Sequence, residues 1–580
     1  MANFYTDNED IKFLFKHFDL KRLAKLQEED FRFAKEFDFA PADEAEALDN
    51  YERILKTVGQ LMADEIAPSA EETDKVGNKL NDDGSVTYAP GIANAIKRLG
   101  QADMMGFTLP YRFGGINCPQ LVYTMSNDMV SRADASLMNV YGLQGIAETI
   151  NHFASEEIKR DYLPNMACGK HTGAMVLTEP DAGSDLQAVK VVAYQEDDGQ
   201  WRVHGVKRFI TNGCGEILLV LARSEPEISD GRGLSLLLVE RGPTVKIRRL
   251  ENKLGIHGSP TCEIYFDHTP AKLIGERQRG LITYVMSLMN GARIGIAAQG
   301  VGIGEAAYRV ARAYANSRKQ FDTAIENFPA VRELLVNMSV DVQAARTLNY
   351  QATFCVDLEI GSLKRMELPH VSEDEKKALR KDARLLGRFN KMLTPMAKYY
   401  ASEMSMRVSN DSMAVLGGSG YMRDYPVERH LRDSRITTIY EGTSQLQVVA
   451  AIAGVVSGTA ANVLEGLLNR EWPDSVAGLI AQIRDGVVIM NECIEFLKAQ
   501  SGTAYRDLYA RKLVDIALYL IVGTLFCDQA TASDVKLAVA KYWLTWRMPE
   551  IRSNRERIFS RDQSAVDDFA ILAGPVPVSE

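Results

Sequence analysis

The residues of this chain that could do chemistry concentrate in one stretch. Met413 to Tyr421 reads Met-Ala-Val-Leu-Gly-Gly-Ser-Gly-Tyr, a charged link runs through Pro426-Val427-Glu428-Arg429 to Arg432-Asp433-Ser434-Arg435, and Ile439-Tyr440-Glu441-Gly442-Thr443-Ser444-Gln445 closes it. Two glycine-bearing turns thus flank a short charged link. Gly417, Gly418 and Gly420 let backbone approach a bulky ligand, because glycine presents no Cβ. The second turn sets one carboxylate, Glu441, beside a Gly-Thr-Ser run whose N–H and hydroxyl groups suit a phosphate. A carboxylate next to a dinucleotide site is a candidate base. A Gly-Gly-x-Gly run alone is most often a plain turn; the specificity here lies in four elements following one another in order.

Taken together, those elements resemble the C-terminal signature of the acyl-CoA dehydrogenase family. Leu177-Thr178-Glu179-Pro180-Asp181-Ala182-Gly183-Ser184-Asp185 combines a Pro turn, a Gly-Ser turn and hydroxyls able to bond a flavin edge and its ribityl chain. It is similar to the family's Thr-Glu-Pro-x-Ala-Gly-Ser-Asp motif, and the resemblance puts Leu177, Thr178 and Gly183 on the flavin and Ser184 near flavin and substrate. Lys207-Arg208-Phe209-Ile210-Thr211-Asn212-Gly213 supplies a ring and a hydroxyl close together. By resemblance Phe209 stacks on the flavin, where Trp is commonest in the family, and Thr211 bonds near its N5/O4 edge.

Arg318-Lys319-Gln320-Phe321 resembles the family's Arg-x-x-Phe element, which implies that Arg318, Gln320 and Phe321 reach the FAD of a neighbouring subunit, with Arg318 on the pyrophosphate. Asp322 occupies the usual Gly place, and Ala414 stands where Gln often precedes the Gly-Gly turn. Gly417, Gly418, Gly442, Thr443, Ser444 and Gln445 complete the expected FAD contacts. On the substrate side the resemblance implies Ser184, Arg293, Tyr421, Tyr440, Glu441 and Gly442. Some members place their base just before the equivalent of Arg293; here that position is Ala292, so the base falls to Glu441. Lys253 to Thr261 resembles the family's Met-Gly-x-x-x-Ser-x-Thr turn, and its His257 reads as structural. No metal-ligand cluster appears in the spacing of Cys and His residues.

The reaction so implied is FAD-dependent α,β-dehydrogenation of a saturated acyl-CoA to a trans-2-enoyl-CoA. Glu441 removes the α-proton, flavin N5 takes the β-hydride, and electrons pass to an electron-transfer flavoprotein. An acyl-CoA oxidase on the same fold is the alternative, which fast reoxidation of the flavin by air would reveal.

The elements that must position these residues change period along the chain. Residues 1–50 are charged and helix-prone, with Ile11, Leu14, Phe15 and Phe18 at helical spacing. Ile54, Val58, Leu61 and Met62 begin a helical domain over 51–167, interrupted by a Leu109-Pro110-Tyr111-Arg112-Phe113-Gly114-Gly115 loop. Period 2 takes over in 168–275, with strands expected at Val189–Tyr194, Trp201–Val206, Ile217–Ala222, Leu234–Val239 and Cys262–Phe266. Helices return in 276–450, where Ala297, Val301, Gly304, Tyr308, Ala311 and Ala315 form a bundle seam. The expected fold class is therefore α+β: a helical domain, a small β-barrel domain and a helical bundle. Residues 359–385 read as a solvated insertion. Residues 451–580 read as an additional helical domain, with a seam of Val476, Ile480, Ile483, Val487, Met490, Ile494 and Leu497, resembling that of very-long-chain and methylthiopropionyl-CoA dehydrogenases. Laid over its own bundle, that seam would stop assembly at a homodimer.

The 580 residues carry a net charge of −10, and no basic block appears, which argues against nucleic acid as a partner. The N-terminal ten residues lack the marks of a signal or transit peptide. The seven scattered cysteines suit a reducing compartment, and the cytoplasm is expected. The apolar run Ile516 to Cys527 is too short for a bilayer span and reads as core helix.

Overall fold

The computed structural model describes residues 2–577. Two short helices, α1 (Glu9–His17) and α2 (Leu20–Gln27), precede the longer α3 (Glu44–Leu61). Asn8 and Asp19 cap the short pair through their side chains, so the expected amphipathic segment is broken after Phe18. After α4 (Ala70–Val76), the two-residue strands β1 (Lys79–Leu80) and β2 (Val86–Thr87) and α5 (Pro90–Gln101) come α6 (Gln120–Ala133), α7 (Ala135–Tyr141), α8 (Gly145–Phe153) and α9 (Glu156–Ala167).

Seven strands follow: β3 (Gly173–Val176), β4 (Val192–Gln195), β5 (Trp201–Thr211), β6 (Ile217–Arg223), β7 (Leu234–Glu240), β8 (Val245–Leu250) and β9 (Thr261–Leu273). The pairings β6-β4-β5-β9-β7-β6 close a ring, with β3 joined to β6 and β8 to β9. Leu218, Val220 and Ala222 of β6 fill the ring with Val203, Ile264 and Phe266. The alternate residues Ile217, Leu219 and Leu221 pack on Ile146, Ile150, Ile158 and Leu163 of α8 and α9. That two-sided burial explains why β6 reads as an unbroken apolar run. β4 starts three residues later than the strand expected from Val189, after a 3₁₀ turn at Leu186–Ala188. β5 runs on to Thr211, so the Lys207–Thr211 segment lies inside a strand that was expected to end at Val206.

The bundle consists of α10 (Met286–Ser317), α11 (Pro329–Met366) and α12 (Glu373–Leu416), with a small hairpin, β10 (Lys319–Gln320) and β11 (Thr323–Ala324), between the first two. Arg293 therefore sits two turns inside α10 and does not open it. The expected solvated insertion at 359–385 is instead the end of α11 and the start of α12. Ser372 accepts from Glu375 N at the helix start, and Glu373, Asp374 and Glu375 crowd the first turn, where the helix dipole favours acids. The charged link of the signature is itself a helix, α13 (Val427–Thr437). Glu428–Arg432 and Arg429–Asp433 pair at i,i+4 along it.

The chain divides into two compact units, Met1–Ala383 with Tyr400–Thr443, and Arg384–Tyr399 with Ser444–Glu580. The second holds α14 (Ser444–Val456), α15 (Thr459–Leu468), α16 (Asp474–Lys498), α17 (Ala504–Ala530) and α18 (Asp534–Phe559). The α16 seam is spent inside this unit. Val476, Ile480, Ile483, Met490, Ile494 and Leu497 are buried, Val487 is half-buried, and Gly486 lies so close to Leu520 of α17 that a Cβ would meet it at 2.4 Å. The apolar face of α16 is thus already buried by helices of the same unit. The Ile516–Cys527 run belongs to the 27-residue α17, which is long and apolar enough to cross a bilayer, but 83% of its most apolar window is buried.

In the first unit α1, α6, α10 and α11 meet at one buried guanidinium. Arg346 contacts Asp10 at 2.8 Å, Asp128 at 2.7 Å and Glu305 at 2.9 Å. Just beyond α2, Glu28 is buried with Tyr111 Oη donating to it at 3.0 Å and Asn117 Nδ2 at 3.2 Å, and its Oε2 has no partner. Burial pushes its carboxyl up to about 7. Folded Glu28 thus keeps its proton at pH values where the unfolded chain has released it. The stability this contributes is full below about 4.5 and is lost as pH rises through about 7. Glu28→Gln is expected to gain on the order of 2 kcal/mol over wild type at pH 8 and almost nothing at pH 4.5, read by urea denaturation at both pH values. Equal gains at the two would count against it.

Candidate active site

Glu441 lies in the turn after α13 with φ +53°, and Gly442 follows at φ +89°. A left-handed glutamate must be held from outside. Its neighbour Tyr440 places its hydroxyl against Gln299 Oε1 and Asn139 Oδ1, the latter at 3.1 Å. Gln299, fully buried on α10, spends its amide on Ala135 O (2.8 Å) and Asn139 Oδ1 (2.9 Å), and Asn139 Nδ2 donates to Ser259 Oγ at 3.3 Å. Burial, with the Glu441 charge beside it, pushes the Tyr440 phenol above its usual range, so this hydroxyl stays a donor.

The helix carrying Tyr440 is fixed in turn. Arg432 reaches Asp74 (2.7 Å) and Glu428 (2.6 Å), Arg429 donates to Glu71 at 2.9 Å, and Asp433 Oδ1 accepts from Ile256 N at 2.5 Å. His257 lies 3.0 Å from Asp74 Oδ1 and 2.8 Å from Lys253 O, inside the same lattice. Arg293 Nη1 donates to Asn290 Oδ1 at 3.1 Å, while its Nε is buried without a partner. Burial lowers this guanidinium, and the Glu441 charge opposes the shift.

A second patch joins the two barrel loops. Lys207, fully buried on β5, donates to Leu177 O at 2.7 Å and to Glu179 Oε1 at 2.9 Å. Glu179 also accepts from Lys190 N (2.7 Å) and Val191 N (2.9 Å), and Arg208 N donates to Thr178 O at 2.9 Å. Burial lowers Lys207 to about 8 although Glu179 opposes it. A register shift against β9 between Lys207 and Ile210 gives Phe209 φ +61° and turns its ring out, 52% exposed. Thr211 is half-buried, and Gly183 and Ser184 lie exposed in the facing loop.

The third patch is a groove of ≈ 560 Å³ lined by Tyr314, Ser317, Arg318, Ser419 and Tyr425 among others. Beside it Gly417 and Gly418 face open space, where a Cβ would meet nothing within 4 Å. Gln320 is exposed, and Phe321 and Asp322 form the tip of the β10–β11 hairpin with φ +51° and +58°. That two-residue geometry explains why glycine is usual at Asp322's place. Phe321 is 91% exposed and Tyr421 77% exposed, as rings awaiting a ligand or a second chain would be. Thr443 ends the first unit. Ser444 and Gln445 start α14 in the second, where Ser444 Oγ is buried without a partner.

Outward rings, open glycines and a free-standing cationic groove fit a flavin dinucleotide. Lys207, Glu179, Gln299 and Asn139 were missed as positioning residues. Gln299 had a signal, an amide alone within the apolar run Ile294-Gly-Ile-Ala-Ala-Gln-Gly-Val; the pairing of Lys207 with Glu179 had none.

Family models described as acyl-CoA dehydrogenase N-terminal, middle and C-terminal domains match residues 49–170, 174–269, and 279–367 with 376–455. An acyl-CoA dehydrogenase of Bacillus subtilis is 34% identical over 415 residues, 70% of this chain and 97% of that one. The 3-methylmercaptopropionyl-CoA dehydrogenase of Ruegeria pomeroyi is 31% identical over 431 residues, 69% of each. The crystal structure of an acyl-CoA dehydrogenase complexed with FAD from Bacillus anthracis shares the fold with a TM-score of 0.76 at 22% identity, covering 92% of both chains.

Glu179→Leu leaves the Lys207 ammonium buried without its counter-ion, a loss of about 3 kcal/mol in chemical denaturation at pH 7. Adding Lys207→Met to it should recover the part due to the stranded charge, while Lys190 N and Val191 N remain without their acceptor in both variants. A double variant as unstable as the single would show that the pair acts otherwise.

Proposed function

The chain belongs to the acyl-CoA dehydrogenase family, and on that premise we propose that it desaturates a saturated acyl-CoA between Cα and Cβ, with Glu441 as the base. It is an FAD-dependent oxidoreductase, and bound FAD supplies the two-electron chemistry. Leu177, Thr178, Gly183, Ser184, Phe209 and Thr211 hold the flavin end, their two loops locked together by Lys207 and Glu179. Arg318, Gln320 and Phe321, with Gly417 and Gly418, take the dinucleotide half from a second subunit, and Gly442, Thr443, Ser444 and Gln445 complete the contacts.

A thioester α-C–H is too weak an acid for a water-exposed carboxylate, so the site must make the proton easier to remove and the base stronger. The backbone N–H of Glu441 serves the thioester carbonyl, and Arg293, Tyr421 and Tyr440 shape the substrate side with Ser184. The observation that carries this reading is the left-handed Glu441, held through the Tyr440 hydroxyl. The electrons leave to an electron-transfer flavoprotein. The reaction suits β-oxidation of fatty acids, and the seven unpaired cysteines suit the cytoplasm.

A homodimer is the smallest assembly that presents Arg318 and Phe321 to a partner's cofactor. Light scattering on the holo-protein should give about twice 64.4 kDa, and four times that mass would overturn the dimer.

Glu441→Gln should fold and keep FAD yet lose at least about 10²–10⁴-fold in flavin bleaching by acyl-CoA, because it keeps the shape and removes the proton acceptor. Bleaching at the wild-type rate would sink the assignment.

A further inference from the structure

At another point of the barrel, two histidines and an aspartate come together. Val203 of β5 pairs with Thr269 of β9 and Gly205 pairs with Phe266, so Asp267 and His268 together face the single residue His204. This is a β-bulge, the device that re-aims side chains on a strand. Consecutive strand residues normally point to opposite faces. His268 has φ +49°, and that left-handed kink lets it share a side with Asp267. One ring nitrogen of each histidine and one carboxylate oxygen lie within 4.8 Å of one another, and the two imidazoles stack 4.1 Å apart.

The remaining valences fit a ligand set. Tyr194 of β4 places its hydroxyl 2.7 Å from His268 Nδ1, which leaves Nε2 as that ring's ligand atom. Such a partner on the second nitrogen fixes tautomer and ring orientation in metal-binding histidines. His204 Nδ1 is buried with no partner. Lys246 holds Asp267 Oδ2 at 2.7 Å, leaving Oδ1. The other nearby cations are engaged: Arg202 with Glu196 at 3.0 Å, and Arg248 over the Tyr265 ring at 4.7 Å. His268 is exposed, so a water can complete the shell.

We propose that His204, His268 and Asp267 form a binding site for a divalent transition-metal ion of the zinc class, which joins β5 to β9 and draws on β4 through Tyr194. Two imidazoles and one carboxylate with an open position are a donor set such ions accept. Ligand atoms around zinc stand roughly 3.3 Å apart, given bonds of about 2.0–2.1 Å, so the side chains must close in and the stacked imidazoles must rotate until both ring planes meet at the ion. Phe209 is five residues further along β5, roughly 17 Å at about 3.3 Å per residue, so the site is separate from the flavin patch.

The test is titration of chelator-treated, full-length holo-protein with Zn²⁺ by calorimetry, alongside Co²⁺ monitored above the flavin absorption for four-coordinate d–d bands. Wild type should bind one tight equivalent and show the bands. His204→Asn with His268→Asn should abolish both while keeping the metal-free melting temperature and the flavin spectrum. Tyr194→Phe should retain binding weakened by about 10–100-fold, the usual cost of losing such an orienting partner. Zn²⁺ affinity unchanged in the double variant, which the exposed Cys168 alone could produce, would overturn the proposal. So would an absence of tight binding in wild type.

Discussion

Glu441, the proposed base, is held in a conformation its residue type resists. Left-handed backbone in a non-glycine residue costs on the order of 1–3 kcal/mol and persists where surroundings over-determine it. Here the surroundings are explicit. On the N-terminal side the Tyr440 hydroxyl is locked to Gln299 and Asn139, two buried amides on different helices; on the C-terminal side Gly442 takes φ +89° without strain. The α13 ion pairs to Asp74 and Glu71 prevent the turn from relaxing by moving as a whole.

The same principle recurs at Lys207 and Arg346. A buried ion pair adds little net stability, because desolvation offsets most of the Coulomb attraction. What each one does is align segments distant in sequence. Lys207 binds the Leu177–Glu179 segment to β5, the strand that carries the Phe209 ring. Arg346 ties α1 and α6 to the α10 that carries Arg293, Gln299 and the Arg318 hairpin. Removing one partner strands a charge, so a misaligned arrangement is penalised far more than the aligned one is rewarded.

Much of this was legible in the residues themselves. Alternation marked the central strands of the barrel, three- and four-residue spacing marked α10 and α16, and the glycines and Glu441 stood out as chemistry before any fold was known. Side-chain period follows directly from backbone geometry, so local patterns report elements and their buried faces. The charged link misled because helix α13 carries few apolar residues; its i,i+4 ion pairs were the signal. The span at 359–385 misled in the same way, since charge density was read as a loop where Ser372 caps a helix.

Partners across long separations were not legible. Nothing local states that Tyr440 meets Gln299, that Lys207 meets Glu179, or that the α16 seam is satisfied by α17 and α18. Those pairings depend on which buried polar groups find complements once the apolar faces have packed, a property of the assembled core. The sequence by itself determined the α+β class and the order of helical and strand regions, and it marked the candidate reaction-bearing residues. Only the tertiary structure decided the left-handed setting of Glu441, the bulge that gathers His204, Asp267 and His268, and the role of each buried charge, because these arise where segments far apart in the chain must satisfy one another's hydrogen bonds.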